Sequence, residues 1–250
     1  MNDALRTEAL VKTFGGITAS DSISFSLAPG ARHALIGPNG AGKTTFINLL
    51  TGVLTPTSGR VFLLGEDITH LKREARVKRG LARTFQISQL FANLTPLQMI
   101  TSVVAERQGR GMQMLRRLDG DHRTMDDVAE LIARFRLDDV MDERIATLPY
   151  GRQRQLEIAA AFAAEPRVLL LDEPAAGVPE AERRELLETV ASLPADVSVL
   201  LIEHDMDIVF RFATRITVLV NGRLLAEGPP EAVAANPAVK SAYLGEEAHG

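Results

Sequence analysis

Cysteine is absent from this 250-residue chain. That excludes disulfides, thiol catalysis and cysteine metal sites, and says little about the compartment. Surplus positive charge is missing too: the formal charge is -4, so bulk attraction to nucleic acid is not indicated. Residues Met1 to Lys12 lack a hydrophobic signal core. No apolar run approaches the ~20 residues that span a bilayer. Any work at a membrane must therefore pass through a partner. There is no internal repeat and no long linker. What remains is ordinary for a globular protein, with 46% hydrophobic and 24% charged residues. The length suits one large domain, or a domain carrying a subdomain.

Residues 5 to 36 read as strands, ending in the short apolar run Arg32-His33-Ala34-Leu35-Ile36. A glycine-rich loop follows. Thr45 to Leu50 then reads as helix, with Gly52 as its stop. Val61 to Leu64 is another strand. Between about Gln86 and Leu148 the pattern turns helical, and Met125, Val128, Leu131, Ile132 and Phe135 make one apolar face. Gly109 to Gly120 carries little order signal. Val168 to Asp172 and Val197 to Ile202 are continuous apolar runs, as in strands buried on both faces. Arg183 to Ala191 predicts the helix between them. Ile216 to Val220, Asn221-Gly222 and Arg223 to Ala226 predict a hairpin, and Pro230 to Leu244 a terminal helix. Lys72, Arg73, Arg76, Lys78, Arg79 and Arg83 form a local basic run, read as a solvated face rather than a polyanion site.

The loop Gly37-Pro38-Asn39-Gly40-Ala41-Gly42-Lys43-Thr44 lies between strand and helix, the context a phosphate-binding loop requires. Its backbone N–H groups would cradle phosphate oxygens. Gly37, Gly40 and Gly42 serve where a side chain would collide or φ is unusual. Lys43 would reach the β- and γ-phosphates of a nucleoside triphosphate, the Thr44 hydroxyl would ligate Mg²⁺, and Thr45 could add a hydroxyl at the α-phosphate. Asp172 ends a buried strand, so its carboxylate emerges at the tip, where it can hold Mg²⁺ through water. Glu173, pointing elsewhere, is left to take a proton from an attacking water. A chance glycine turn and a capped strand end are the competing structural readings. His204, after the strand ending at Ile202-Glu203, and Gln86 say little alone.

Read in order, these segments closely resemble the ATP-binding subunit of an ABC transporter. Gly37 to Thr44 matches the Walker A loop, Gln86 the Q-loop, and Leu148-Pro149-Tyr150-Gly151-Arg152 the signature. Leu169 to Asp172 matches Walker B, Glu173 sits at the catalytic base, Pro174 to Pro179 at the D-loop and His204 at the switch histidine. Phe14 occupies the place of the adenine-stacking aromatic. The resemblance implies an α/β P-loop NTPase core with an antiparallel β subdomain and a helical subdomain, one domain over 1–250 with the helical part inserted at about 87–155. It implies ATP and Mg²⁺ as ligands, with Thr44, Gln86 and Asp172 around the metal. It further implies a second ATPase subunit, whose signature would close over the nucleotide in trans, and transmembrane permease subunits. An indirect link to a periplasmic or lipid-anchored binding protein, and a peripheral address on the cytoplasmic face of the cell membrane, follow from the same likeness.

Ala82-Arg83-Thr84-Phe85-Gln86, Asp172-Glu173-Pro174-Ala175-Ala176-Gly177 and the tail Ala242 to Glu246 resemble the branch of branched-chain amino acid importers. Urea importers and lipopolysaccharide-export ATPases are near relatives, and cassettes acting on nucleic acid or ribosomes share the same core. Ile87, Leu90, Phe91 and Leu94 are either a docking surface for a membrane subunit or subdomain core. The signature departs from the family in Pro149, where serine is usual, and Arg152, where glutamine or glutamate is usual. Proline offers neither hydroxyl nor N–H, although it suits the first position of a helix. Arg152 could add charge at the phosphate or face a neighbouring carboxylate.

Overall fold

The computed structural model describes residues 3–84, 91–110 and 122–247. Its backbone divides into two compact units, one built from Met1–Arg83, Arg167–Glu173 and Pro194–Gly250, the other from Thr84–Pro166 and Pro174–Leu193.

The first unit carries two sheets. Strands β1 (Leu5–Phe14), β2 (Ile17–Ile23), β3 (Ser26–Leu27), β5 (Ser58–Leu63) and β6 (Glu66–Asp67) pair antiparallel, in the order β2-β1-β5-β6 with β3 also on β1. The second sheet runs β11-β10-β4-β9-β8-β7, from β4 (Arg32–Ile36), β7 (Leu81–Arg83), β8 (Val168–Asp172), β9 (Ser198–Ile202), β10 (Arg215–Val220) and β11 (Arg223–Gly228). All its pairings are parallel except the β10–β11 hairpin. That hairpin turns at Asn221 and Gly222, both at positive φ (48° and 75°), which a two-residue type I′ turn requires.

Side-chain alternation on β4 feeds two cores. Leu35 joins Phe46, Leu50, Leu170 and Leu200, whereas Ala34 and Ile36 join Val209, Ile216, Val218 and Val233. Phe46 and Leu50 lie on α1 (Lys43–Thr51), and Val209 on α7 (Met206–Phe212). The short helix α2 (Arg73–Val77) precedes β7 and carries Arg76. β8 and β9 are buried along their length apart from Asp172 at the tip of β8, which is why they read as uninterrupted runs. The terminal segment departs from the single helix expected over 230–244. Asn236 breaks it into α8 (Pro230–Ala235) and α9 (Pro237–Glu247), because proline disfavours helical backbone in the residue before it. Leu64 leaves β5 for a turn at φ 51°.

In the second unit α3 (Pro96–Arg107) begins with a capping box, Thr95 accepting from the Gln98 N–H while the Gln98 side chain accepts from the Thr95 N–H. It packs with α4 (His122–Arg134) and α5 (Tyr150–Ala163), and α5 packs in turn on α6 (Glu180–Ala191). Val128, Leu131, Ile132 and Phe135 are buried as their spacing predicts. Met125 is not: it is 43% exposed and stands outside the face assigned to it. Phe91 is also exposed, while Ile87 and Leu90 lie outside the described residues, as does most of 109–120.

His33 is buried in β4. Its Nε2 is 2.8 Å from the Thr217 hydroxyl, which itself donates to Glu227 at 3.1 Å. One hydroxyl has one proton, so the imidazole must be the donor to Thr217 and carries its hydrogen on Nε2. Nδ1 has no hydrogen-bond partner among the described residues. Burial, with Arg215 adding to it and Glu227 opposing, pushes the pKa from 6.5 down to about 4. Between those values the unfolded chain binds the extra proton. The contribution to stability is therefore complete above pH 6.5 and lost as pH falls toward 4, amounting to ~3 kcal/mol. His33→Gln, which keeps a donor for Thr217, should flatten the pH dependence of urea stability in that window. An equally steep fall in the variant would remove His33 as the cause.

Candidate functional site

Sheet order assembles the site. In the sequence β4-β9-β8, Leu35 pairs with Ile202 and Ile202 with Asp172, so these three positions stand level at the carboxyl ends of neighbouring parallel strands. Ligands of open α/β sheets gather at that edge. The loop after β4, Glu203 and His204 after β9, and Asp172 and Glu173 at the end of β8 thus converge from distant parts of the chain.

The loop leaves no room for side chains at two of its glycines. A Cβ on Gly37 would come 2.1 Å from the Leu219 carbonyl oxygen, and one on Gly42 would come 2.5 Å from that of Ala19. Backbone is packed against backbone, and the Gly222 N–H adds a 2.9 Å bond to the Ala41 carbonyl. The hairpin turn thereby braces the loop. Gly42 is the N-cap of α1 in left-handed conformation, no side chain caps that end, and no acidic residue lies in its first turn. The positive end of the helix dipole is therefore uncompensated by carboxylates, which favours an anion there. Lys43 Nζ lies across the loop, donating to the carbonyls of Gly37 (2.6 Å) and Pro38 (3.0 Å). Thr44 and Thr45 are accessible to solvent. Phe14, at the end of β1, is 47% exposed with Lys12 Nζ 5.1 Å from its ring centre, so the ring is accessible for stacking.

Glu173 has φ 46°, unusual for a residue other than glycine, and its N–H is held by the Ile202 carbonyl at 2.9 Å. The chain turns abruptly after Asp172, and strain of this kind is concentrated at working sites. His204 Nδ1 lies 3.9 Å from Glu173 Oε1 and 3.9 Å from Glu203 Oε2. Glu203 is fully buried and also accepts the His204 N–H at 3.2 Å, so the histidine is steered by its own backbone neighbour. Asp172 is bound by Arg83 at 2.5 Å. Gln86 lies outside the described residues.

In the second unit, Leu148 is buried and Pro149 is the N-cap of α5, not its first helical residue: its ψ of 148° is extended, and Tyr150 opens the helix. The fixed proline φ still suits this junction. The Gly151 N–H in the first turn donates to the Glu182 carboxylate at 2.9 Å, and a Cβ on Gly151 would collide with that oxygen. This helix start demonstrably accepts an anionic oxygen. Arg152 turns to carboxylates: it bonds Asp139 (3.0 Å), Glu185 (3.1 Å) and the Arg136 carbonyl (2.8 Å), locking α5 to α6.

A sequence model described as ABC transporter matches residues 20–176. The chain belongs to the ABC transporter family. It is 37% identical to the high-affinity branched-chain amino acid transport ATP-binding protein BraF of Pseudomonas aeruginosa, over 97% of this chain and 98% of that protein. Identity to LivG of Escherichia coli, which bears the same description, is also 37% with the same shares covered. The crystal structure of an ATP-binding cassette of an ABC transporter in its ADP conformation superposes with a TM-score of 0.86 at 30% identity, covering 98% of this chain and 100% of that one. A second model, of branched-chain amino acid ATP-binding cassette transporters, matches residues 223–249. The fold of this ABC transporter chain is thus the P-loop NTPase core expected from its motifs, and it is a nucleotide-binding cassette. No helix among its described residues is long and apolar enough to cross a membrane.

Reading the sequence alone misses Arg83, Asn48 and Glu182 as neighbours of the motifs. The available signal was the basic run at 72–83. Lys72, Arg73, Lys78 and Arg79 are exposed, as a solvated face requires, whereas Arg76 enters the interior and Arg83 turns to Asp172.

Proposed function

We propose that the chain is the ATP-hydrolysing subunit of an importer for branched-chain amino acids. The observation that carries this reading is the convergence of the Lys43 loop, Asp172, Glu173 and His204 at one sheet edge, joined to the match at 223–249. On this reading residues 1–250 are one ABC ATPase domain, with a helical subdomain inserted at about 87–155.

The donor set fits magnesium. The Thr44 hydroxyl is a hard oxygen ligand, the Asp172 carboxylate would hold the ion through water, and Gln86 adds an amide oxygen by family likeness. When bound, Mg²⁺ neutralises charge on the β- and γ-phosphates. The chain supplies the rest. Loop N–H groups and the α1 dipole hold the triphosphate, Lys43 exchanges its carbonyl partners for phosphate oxygens, and Phe14 stacks on the base. Glu173 accepts the proton of the attacking water, and His204, 3.9 Å away, holds the geometry at the γ-phosphate. The signature residues 148–152 of a second ATPase subunit complete the site, with the Gly151 amide meeting the γ-phosphate in place of Glu182. Opening and closing of that sandwich would drive permease subunits at the cytoplasmic face of the cell membrane, with a solute-binding protein delivering cargo on the far side.

The test is turnover in vesicles holding this subunit with its permease and binding protein. Leucine, isoleucine or valine should stimulate phosphate release, and Lys43→Ala should abolish the response. Stimulation by urea alone would change the cargo. Stimulation by nucleic acid, with no solute response, would remove the transport assignment.

A further inference from the structure

Asp172 and the helix bearing Thr44 are joined by one side chain. Arg83, at the end of β7, places Nη2 2.5 Å from Asp172 Oδ2 and Nη1 2.8 Å from Asn48 Oδ1. Its side chain is 17% exposed and that of Asp172 28%, so the bridge is largely screened from water. Asn48 lies one turn beyond Thr44 on α1, and positions four apart share a helix face. The guanidinium is planar and presents its donors in a rigid fork. Its two nitrogens therefore fix how far the β8 tip stands from the Thr44 face of α1.

We propose that Arg83 is a positioning residue for the metal: together with Asn48 it sets the separation between the Thr44 hydroxyl and the Asp172 carboxylate. This rests on the reading of Thr44 as a magnesium ligand and of Asp172 as the group that holds the ion through water. Lysine would not substitute, because an ammonium is a point charge without the fork. The neighbouring basic residues are engaged elsewhere, Arg79 with Glu66 and Arg76 with backbone carbonyls. Partners that orient a metal's ligands commonly change its affinity by about 10–100-fold when removed.

The experiment measures binding of a fluorescent ATP analogue, first in EDTA and then across a magnesium titration, for the parent chain, Arg83→Lys, Arg83→Gln and Asn48→Ala. The half-saturating magnesium concentration should rise about tenfold in all three, with binding in EDTA unchanged. Asn48→Ala removes only the far end of the bridge and keeps a good helix former, so it reads the proposal even if the Arg83 variants fold poorly. An unchanged magnesium requirement overturns the proposal. So does a lowered one, which would make the guanidinium a rival cation, and so does an equal loss of binding in EDTA, which would make Arg83 a mere support of the loop. Absence of any magnesium effect in the parent chain would bring down the functional reading as well, whereas the other outcomes leave that reading intact.

Discussion

Glu173→Gln should retain ATP and cease to hydrolyse it. The substitution keeps the size and backbone preference of the side chain, so the unusual φ of 46° and the 2.9 Å bond to Ile202 survive. On the proposed mechanism, what disappears is the acceptor for the proton of the attacking water. General-base contributions are about 10²–10⁴-fold, and steady phosphate release should fall by that factor. On the proposed two-subunit arrangement the γ-phosphate cements the contact, so a variant that rarely removes it should keep that contact. The variant with ATP and magnesium should run as a dimer in size-exclusion chromatography with light scattering, while the parent chain returns to monomer. Undiminished phosphate release would displace Glu173 from its role. The side chain is 45% exposed, so water reaches it without any rearrangement.

Elements whose chemistry is contiguous in sequence could be read from it. The tight packing of the loop at 37–44 is such a case, because Gly37 and Gly42 stand where backbone meets backbone. The apolar runs of β8 and β9 are another, since burial on both faces leaves no other composition. Asn221-Gly222 announces its turn through φ alone. Features that depend on distant partners were not legible in the same way. Arg76 and Arg83 look like solvated charge because their partners, at Leu49 and Asp172, stand elsewhere in the chain. Pro149 reads as the first residue of a helix, yet it caps one, a shift of a single position that only ψ reveals. Met125 has helical phase with its neighbours but falls at the margin of the packed face. The division at Asn236 is legible in Pro237, which disfavours helical backbone in the residue before it.

Arg76→Met should be the most destabilising single change in the basic run at 72–83. Arg76 is 1% exposed, and its donors serve backbone carbonyls. Nη1 reaches those of Leu49 (2.8 Å) and Leu50 (2.6 Å), Nη2 that of Thr69 (2.8 Å) and Nε that of Leu71 (3.0 Å). Leu49 and Leu50 lie in the last turn of α1, where the dipole is negative and carbonyls run short of helical donors, Leu49 receiving a long 3.4 Å bond from the Gly52 N–H. The guanidinium thus caps the carboxyl end of the helix whose amino end faces the phosphate loop. Burial lowers its pKa to about 10, with Asp67 opposing, so it stays charged at neutral pH. Methionine fills much of the volume and satisfies none of these oxygens. Hydrogen bonds from a charged donor are worth about 1.5–3 kcal/mol each before relaxation and water entry, so a loss of at least ~3 kcal/mol is expected. For a chain of this size that lowers Tm by about 6–12 °C in a far-UV circular dichroism melt. Arg76→Lys, with the charge but one donor centre, should fall between the two. Gly52 narrows the options further: it ends α1 at φ +76°, and a Cβ there would come 2.8 Å from Arg76 Nε, so Gly52→Ala should weaken the same cap from the other side. If Arg76→Met melts with the parent chain, the helix is held by its apolar face alone, and the guanidinium cap contributes nothing to anchoring the phosphate loop.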